Sequence, residues 1–100
     1  MTYINVTNAR SGLLADAAVI INGDRNNDYG PPFVDFSRTA AMWSEMFGRT
    51  FLPHEVALGM IAVKLSRIAE TPHKRDHWLD IAGYVACGWE CVELTFGEVD

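Results

Sequence analysis

The sequence predicts an all-α protein, a compact four-helix domain with antiparallel helix packing and a short extended N-terminal arm over residues 1–8. Apolar residues recur at three- and four-residue spacings through most of the chain, the period of a helix with one buried face. Gly23, Gly48, Pro53 and Pro72 punctuate those patterns where helices stop or start. The only period-two stretch is at the N-terminus, and a lone strand has nothing to pair with. One hundred residues then make a single domain spanning 1–100.

Residues 1–7, MTYINVT, alternate β-favouring with polar side chains and are expected as an arm, free or laid on another subunit. From Ser11, an expected N-cap, Leu13, Leu14, Ala17, Ala18 and Ile21 keep helical spacing until Gly23 ends the helix. Residues 23–32, GDRNNDYGPP, are so rich in Gly, Asn, Asp and Pro that a functional loop is expected there. Its acids approach a calcium-loop spacing, yet Tyr29 stands where the sharp turn needs Gly, so calcium is not expected. The loop instead offers Arg25 and Tyr29 as side chains long enough to engage a ligand.

Pro31 and Pro32 suit the first turn of a second helix, whose Phe33, Phe36, Ala40, Trp43 and Phe47 form an amphipathic stripe closed by Gly48. The third helix, over 55–70, is apolar nearly all round. From Val56 to Val63 it carries no polar side chain, and it is expected to be enclosed as the central post. Glu55 places negative charge in its first turn. After Thr71 and Pro72 a last helix runs from near Lys74 to about Phe96. Trp78, Ile81 or Ala82, Val85, Trp89, Val92 and Phe96 are expected as its core stripe, flanked by a second stripe of Asp76, Asp80, Tyr84, Cys87 and Cys91. The short link makes these last two helices antiparallel, and Gly59, Ala62, Ala82, Gly83, Ala86 and Gly88 are expected to let their axes approach closely.

A net charge of -5 without a basic face argues against a duplex nucleic acid partner. The longest apolar run is far short of the roughly 20 residues a membrane span needs, and no signal peptide opens the chain, so a cytoplasmic protein without a membrane partner is expected. The apolar share is 49%, with three Trp and four Met, and part of it is expected to be hidden in a homo-oligomer. Cys87 and Cys91, four apart on a helix, read as two reduced thiols. Together with His73 and His77 they suggest zinc, but His77 and Cys87 would stand about 15 Å apart along one helix, so no metal is expected.

The candidate site lies where the third helix ends and the last begins. Lys64 and Arg67 share one face of the third helix, and the antiparallel turn brings Asp76 and Asp80 beside them, with expected pairs Asp80 to Arg67 and Asp76 to Lys64. Such a cluster is a costly way to tie two helices together, which favours a binding role over a purely structural one. Arg25, Tyr29, Lys64, Arg67, Asp76, Asp80 and Tyr84 together suit a nucleotide-type small molecule: cations for phosphate, a ring for stacking, and a carboxylate for ribose hydroxyls.

Gly23, Asp24, Arg25, Asp28, Tyr29 and Gly30 are followed by Phe36 and Trp43, then by Lys64 and Arg67, then by Asp76, Asp80, Gly83 and Tyr84. This order of motifs resembles a small uncharacterised family encoded mostly by bacteriophages, over nearly the whole chain. More distantly, the helix order and the segment 76–84 are similar to the all-α MazG-type nucleotide pyrophosphohydrolases. That second resemblance implies an E-x-x-E and an E-x-x-D motif holding magnesium against a triphosphate. Glu55 stands for the first acid, but Leu58 follows three residues on, and His77 precedes Asp80 where Glu belongs.

The quartet is therefore incomplete, and binding is expected over hydrolysis, with magnesium as cofactor only in the enzymatic case. The expected function, drawn from the charged cluster and by analogy with small helical phage proteins that act as signal sponges, is that of a phage protein in the bacterial host cytoplasm that binds a nucleotide or cyclic nucleotide-derived signal and sequesters it from host defence. The alternatives are a MazG-like magnesium-dependent pyrophosphohydrolase, or a structural or protein-interaction module.

Overall fold

The computed structural model describes residues 3–23 and 25–97, the side chains of residues 3–7 and of Arg25 excepted. It is all-helical among those residues. The helices are α1 (Tyr3–Ile21), α2 (Arg25–Tyr29), α3 (Pro32–Phe47), α4 (Pro53–Glu70) and α5 (Arg75–Phe96). None is long and apolar enough to cross a membrane. Four long helices thus form the domain, and the single-turn α2 interrupts the segment expected to be all loop. Asn26 donates its side-chain amide to the Ile21 carbonyl at 3.2 Å, which ties that turn to the end of α1.

Met1 and Thr2 of the expected N-terminal arm lie outside the described residues. The backbone is helical from Tyr3, so Ser11 lies inside α1 and caps nothing. With no strand partner among the described residues, extending the residues before Ser11 would leave their backbone groups unpaired, whereas continuing α1 pairs them within the helix.

The scaffold is the antiparallel hairpin of α4 and α5, with α1 packed on α5 and α3 on both. Glycines set the close approaches. A Cβ on Gly88 would stand 3.0 Å from the Ala57 Cβ, so the α4 and α5 backbones nearly touch there. At Gly59 a Cβ would meet the Trp43 ring of α3 at 2.8 Å, and at Gly83 it would meet Ile21 of α1 at 3.3 Å. Of the three glycines among the expected small residues, Gly88 serves the α4 to α5 contact directly, while Gly59 and Gly83 seat the other two helices. Gly48, at φ +70, ends α3 in the left-handed conformation that costs glycine little.

Two core assignments are corrected by this packing. The α5 residues that turn inward are Leu79, Gly83, Cys87 and Cys91, close to the stripe expected to flank the core. The expected core stripe faces outward, with Trp78, Val85, Trp89 and Phe96 each about half exposed. Nor is α4 enclosed: Val56 and Ala57 are buried, but Leu58 and Leu65 are more than half exposed. Because α1 and α3 both cover one side of the hairpin, its other side has no neighbour among the described residues. Cys87 and Cys91 are buried and not disulfide-linked, as expected.

Candidate functional site

The register that sets Ala57 against Gly88 brings Lys64 level with Asp80, and the ammonium lies 2.9 Å from the carboxylate. Lys64 is only 13% exposed at its side chain and Asp80 33%, so the pair is half-enclosed. This is not the expected pairing. Arg67 falls a turn further along α4, past the covered part of the hairpin, and is exposed, as is Asp76 at the start of α5. The acids and bases thus resolve into one inner pair and two solvated charges.

Beside the pair, a cavity of about 260 Å³ opens between α1, α2, α3 and the hairpin. Its walls are apolar and aromatic, including Ile21, Phe36, Met60, Leu79 and Tyr84, with Tyr29 and Gly30 at the edge of the α2 segment. The Phe36 and Tyr84 rings lie 6.3 Å apart and tilted by 35°. Into this surface project Asp80 from α5, Asp35 and Thr39 from α3, and Asn26 from α2. A polar opening in an aromatic cavity is the usual form of a small-molecule site.

Of the expected site residues, Tyr29, Asp80 and Tyr84 line the cavity, and Lys64 reaches it through Asp80. Arg67 and Asp76 do not line it. Arg25 belongs to α2, at the cavity's edge, and its side chain lies outside the described residues. Phe36, Asp35 and Thr39 were not expected as site residues. Their spacing of one and three along α3 puts an acid and a hydroxyl on the border of the aromatic stripe, the one sequence signal that marks them.

The geometry does not fit a magnesium quartet. Among the described residues no three of His, Cys, Asp or Glu converge as a metal site. Glu55 is committed elsewhere: its Oε1 accepts the Leu52 N–H at 2.9 Å, and its Oε2 lies 3.5 Å from Arg49. That backbone hydrogen bond, helped by the Arg49 charge, holds the Glu55 carboxyl below its ordinary pKa. It stands nine residues from Lys64, about 13 Å at the rise of an α-helix. What the cavity presents is aromatic ring faces and the two acids Asp35 and Asp80, the first 3.7 Å from Arg38 and the second 2.9 Å from Lys64.

The comparisons with known proteins support a family encoded by bacteriophages. The chain is 35% identical over 75 residues to the Gene 55 protein of Mycobacterium phage D29, covering 75% of this chain and 50% of that one. It is 40% identical over 73 residues to the Gene 55 protein of Mycobacterium phage L5, covering 72% and 47%. The chain thus spans about half the length of the curated relatives it matches. No solved structure matches. Residues 12–92, which contain the α2 segment, the inner pair and the cavity, match the Domain of unknown function (DUF6378), and the chain belongs to that family.

Proposed function

We propose that the cavity binds a nucleotide-type small molecule, with the base and sugar inside and any phosphates projecting from the mouth. One observation carries this reading: an aromatic cavity with Asp35 and Asp80 in its lining, Asp80 held by Lys64 at 2.9 Å and Asp35 lying 3.7 Å from Arg38. At about 260 Å³ it falls just under the roughly 300 to 1,000 Å³ of sites for larger ligands. That size suits one nucleoside unit. Carboxylate oxygens accept hydrogen bonds from ribose hydroxyls or an exocyclic amine, and Tyr29, Phe36 and Tyr84 offer ring faces for stacking.

Among the described residues the apolar and aromatic walls offer phosphates no cation inside, which favours their placement at the mouth, on the side of the α2 segment. The phage relatives favour a role during infection. Holding a nucleotide or cyclic nucleotide-derived signal without converting it would keep that signal from a host defence system. The reading rests on recognition alone, without a metal step.

The test is a thermal-shift panel of nucleosides, nucleotides and cyclic nucleotides, with and without magnesium, followed by recovery of the ligand after heat denaturation. A raised melting temperature with unchanged ligand is the expected result. Asp80→Asn and Tyr84→Ala, each checked for helicity by circular dichroism, should reduce the shift, and Arg67→Ala should leave most of it. Conversion of a triphosphate to monophosphate and pyrophosphate would replace the reading with the enzymatic one. A panel without any shift would leave a structural or protein-interaction module.

A further inference from the structure

The uncovered side of the α4 and α5 hairpin is a continuous apolar face. Leu58, Ala62, Leu65 and Ala69 follow one another along α4 at spacings of four, three and four, hence on one stripe. All four are exposed, Leu58 at 59% and Leu65 at 55%. Trp78, Val85, Trp89 and Phe96 form the parallel stripe on α5, with Trp89 at 51% and Phe96 at 60%. Neither stripe contains a charged residue. Both lie opposite the inward residues Val56, Met60, Leu79 and Gly83 that face the cavity.

We propose that this face is the dimer interface of the protein and that its occupant is a second copy of the chain, packed hairpin on hairpin about a two-fold axis. The proposal is independent of the ligand reading, because the cavity opens on the opposite side of the hairpin.

Area argues for it. The chain exposes 7152 Å², where a compact monomer of 11.1 kDa exposes about 5,700 Å². Its radius of gyration is 15.4 Å, against about 13 Å for a compact domain of its length. Taking roughly 200 to 250 Å² for a fully exposed aromatic side chain and less for Leu and Val, the large residues of the face contribute about 600 Å² of this surface. With the alanines and the surrounding rim, the face reaches the roughly 800 Å² per partner of a standard stable interface.

Its relief suits a copy of itself. Leu and Trp ridges alternate with hollows at Ala62 and Ala69, so a two-fold operation sets ridge into hollow on both sides at once. Two hairpins stacked this way form a four-helix core whose central layer is the residues that a single chain leaves wet. The same contact would enclose α4, the helix whose sequence reads as buried nearly all round.

The test is sedimentation equilibrium of the full chain. The wild type should have twice the 11.1 kDa chain mass at micromolar concentration. Val85→Glu and Trp89→Glu, introduced separately, place a charge in the centre of the face and should each weaken the dimer by more than about a hundredfold. Because both positions face solvent within one chain, the monomeric variants should stay helical and keep any ligand-induced thermal shift. A second readout needs no variant: diluting the wild type should red-shift its tryptophan emission in step with the loss of mass, as Trp78 and Trp89 become wet. A wild-type mass that stays monomeric at all concentrations would overturn the proposal, whether or not another protein then binds the face. So would a dimer that survives both charge substitutions undiminished.

Discussion

The Lys64 to Asp80 pair is the part of the site that a single substitution probes most sharply. Lys64→Met keeps most of the apolar stem that packs along α4 and removes only the charged end, leaving Asp80 without its partner 2.9 Å away. Breaking a fully buried pair costs about 3 to 5 kcal/mol, and a solvent-exposed pair is worth about 0 to 1 kcal/mol. Lys64 is 13% exposed, but Asp80 is one-third exposed and water can solvate the orphaned carboxylate, so the cost falls between those limits, at about 2 kcal/mol. For a chain of this size that is a fall in melting temperature of roughly 10 °C, read at fixed protein concentration by circular dichroism. Asp80→Asn in the Lys64→Met background should recover part of the loss, and the double-mutant cycle should show a coupling of about 1 kcal/mol or more. Arg67→Ala, at an exposed position, should cost less than about 0.5 kcal/mol. A Lys64→Met protein as stable as the wild type, or a cycle without coupling, would refute the inner pair as an organising contact.

Other consequences follow from the packing and from individual side chains. Gly88→Ala gains about 1 kcal/mol of helix propensity but must push apart two backbones whose Cβ atoms would lie at 3.0 Å, so a net loss of about 1 kcal/mol is expected in chemical denaturation. Gly12→Ala, where nothing lies within 4 Å of the new methyl, should instead stabilise by about 0.5 to 1 kcal/mol. The Glu55 carboxyl has a folded pKa below its unfolded value, so its contribution is present above the unfolded pKa and is lost as pH falls through the folded one. Glu55→Gln should therefore lose stability at neutral pH and show a shallower decline in acid, in melting curves taken across that range. Burial, with Cys87 and Glu90 adding to it, pushes the Cys91 thiol up to about 11. Its contribution is complete below the unfolded thiol pKa and lost as pH rises towards 11, and Cys91, fully covered, should escape a thiol reagent at pH 8 until the protein is denatured.

The helices were legible in the sequence because their signals are local. Proline at the first turns of α3 and α4, Gly48 at the end of α3 and the 3–4 spacing of Phe36, Ala40 and Trp43 each act within one or two turns of chain. Which face of a helix is buried depends on how many neighbours cover it, and that is not local. On α5 two apolar stripes competed, and the bulkier one, with Trp78 and Trp89, reads as core by hydrophobicity alone. The structure instead buries the stripe with small residues, Gly83, Cys87 and Cys91, where Gly83 lets α1 come close, while Gly88 beside it admits α4.

The same reasoning explains the site. Tyr29, Asp80 and Tyr84, which charge and ring chemistry at helical spacing single out, line the cavity, and Lys64 pairs with Asp80. Choosing Asp80 rather than Asp76 as the partner of Lys64 needs the α4 to α5 register, which Gly88 sets through a contact thirty-one residues distant in sequence. Asp35 and Thr39 escaped notice because they border a stripe whose other members pack as core. Arg67 and Asp76 carried the right charges one turn too close to the end of the hairpin.

The claim on which the functional reading stands is that the cavity takes up a nucleoside unit. Backbone amide chemical shifts of the labelled protein, recorded while nucleosides and nucleotides are added, test it most directly. The expected result is a saturable set of shifts confined to Tyr29, Asp35, Phe36, Thr39, Asp80 and Tyr84 and their neighbours, with the outer stripes of α4 and α5 unmoved. Shifts absent at every addition, or clustered on the exposed α4 and α5 face instead, would contradict it.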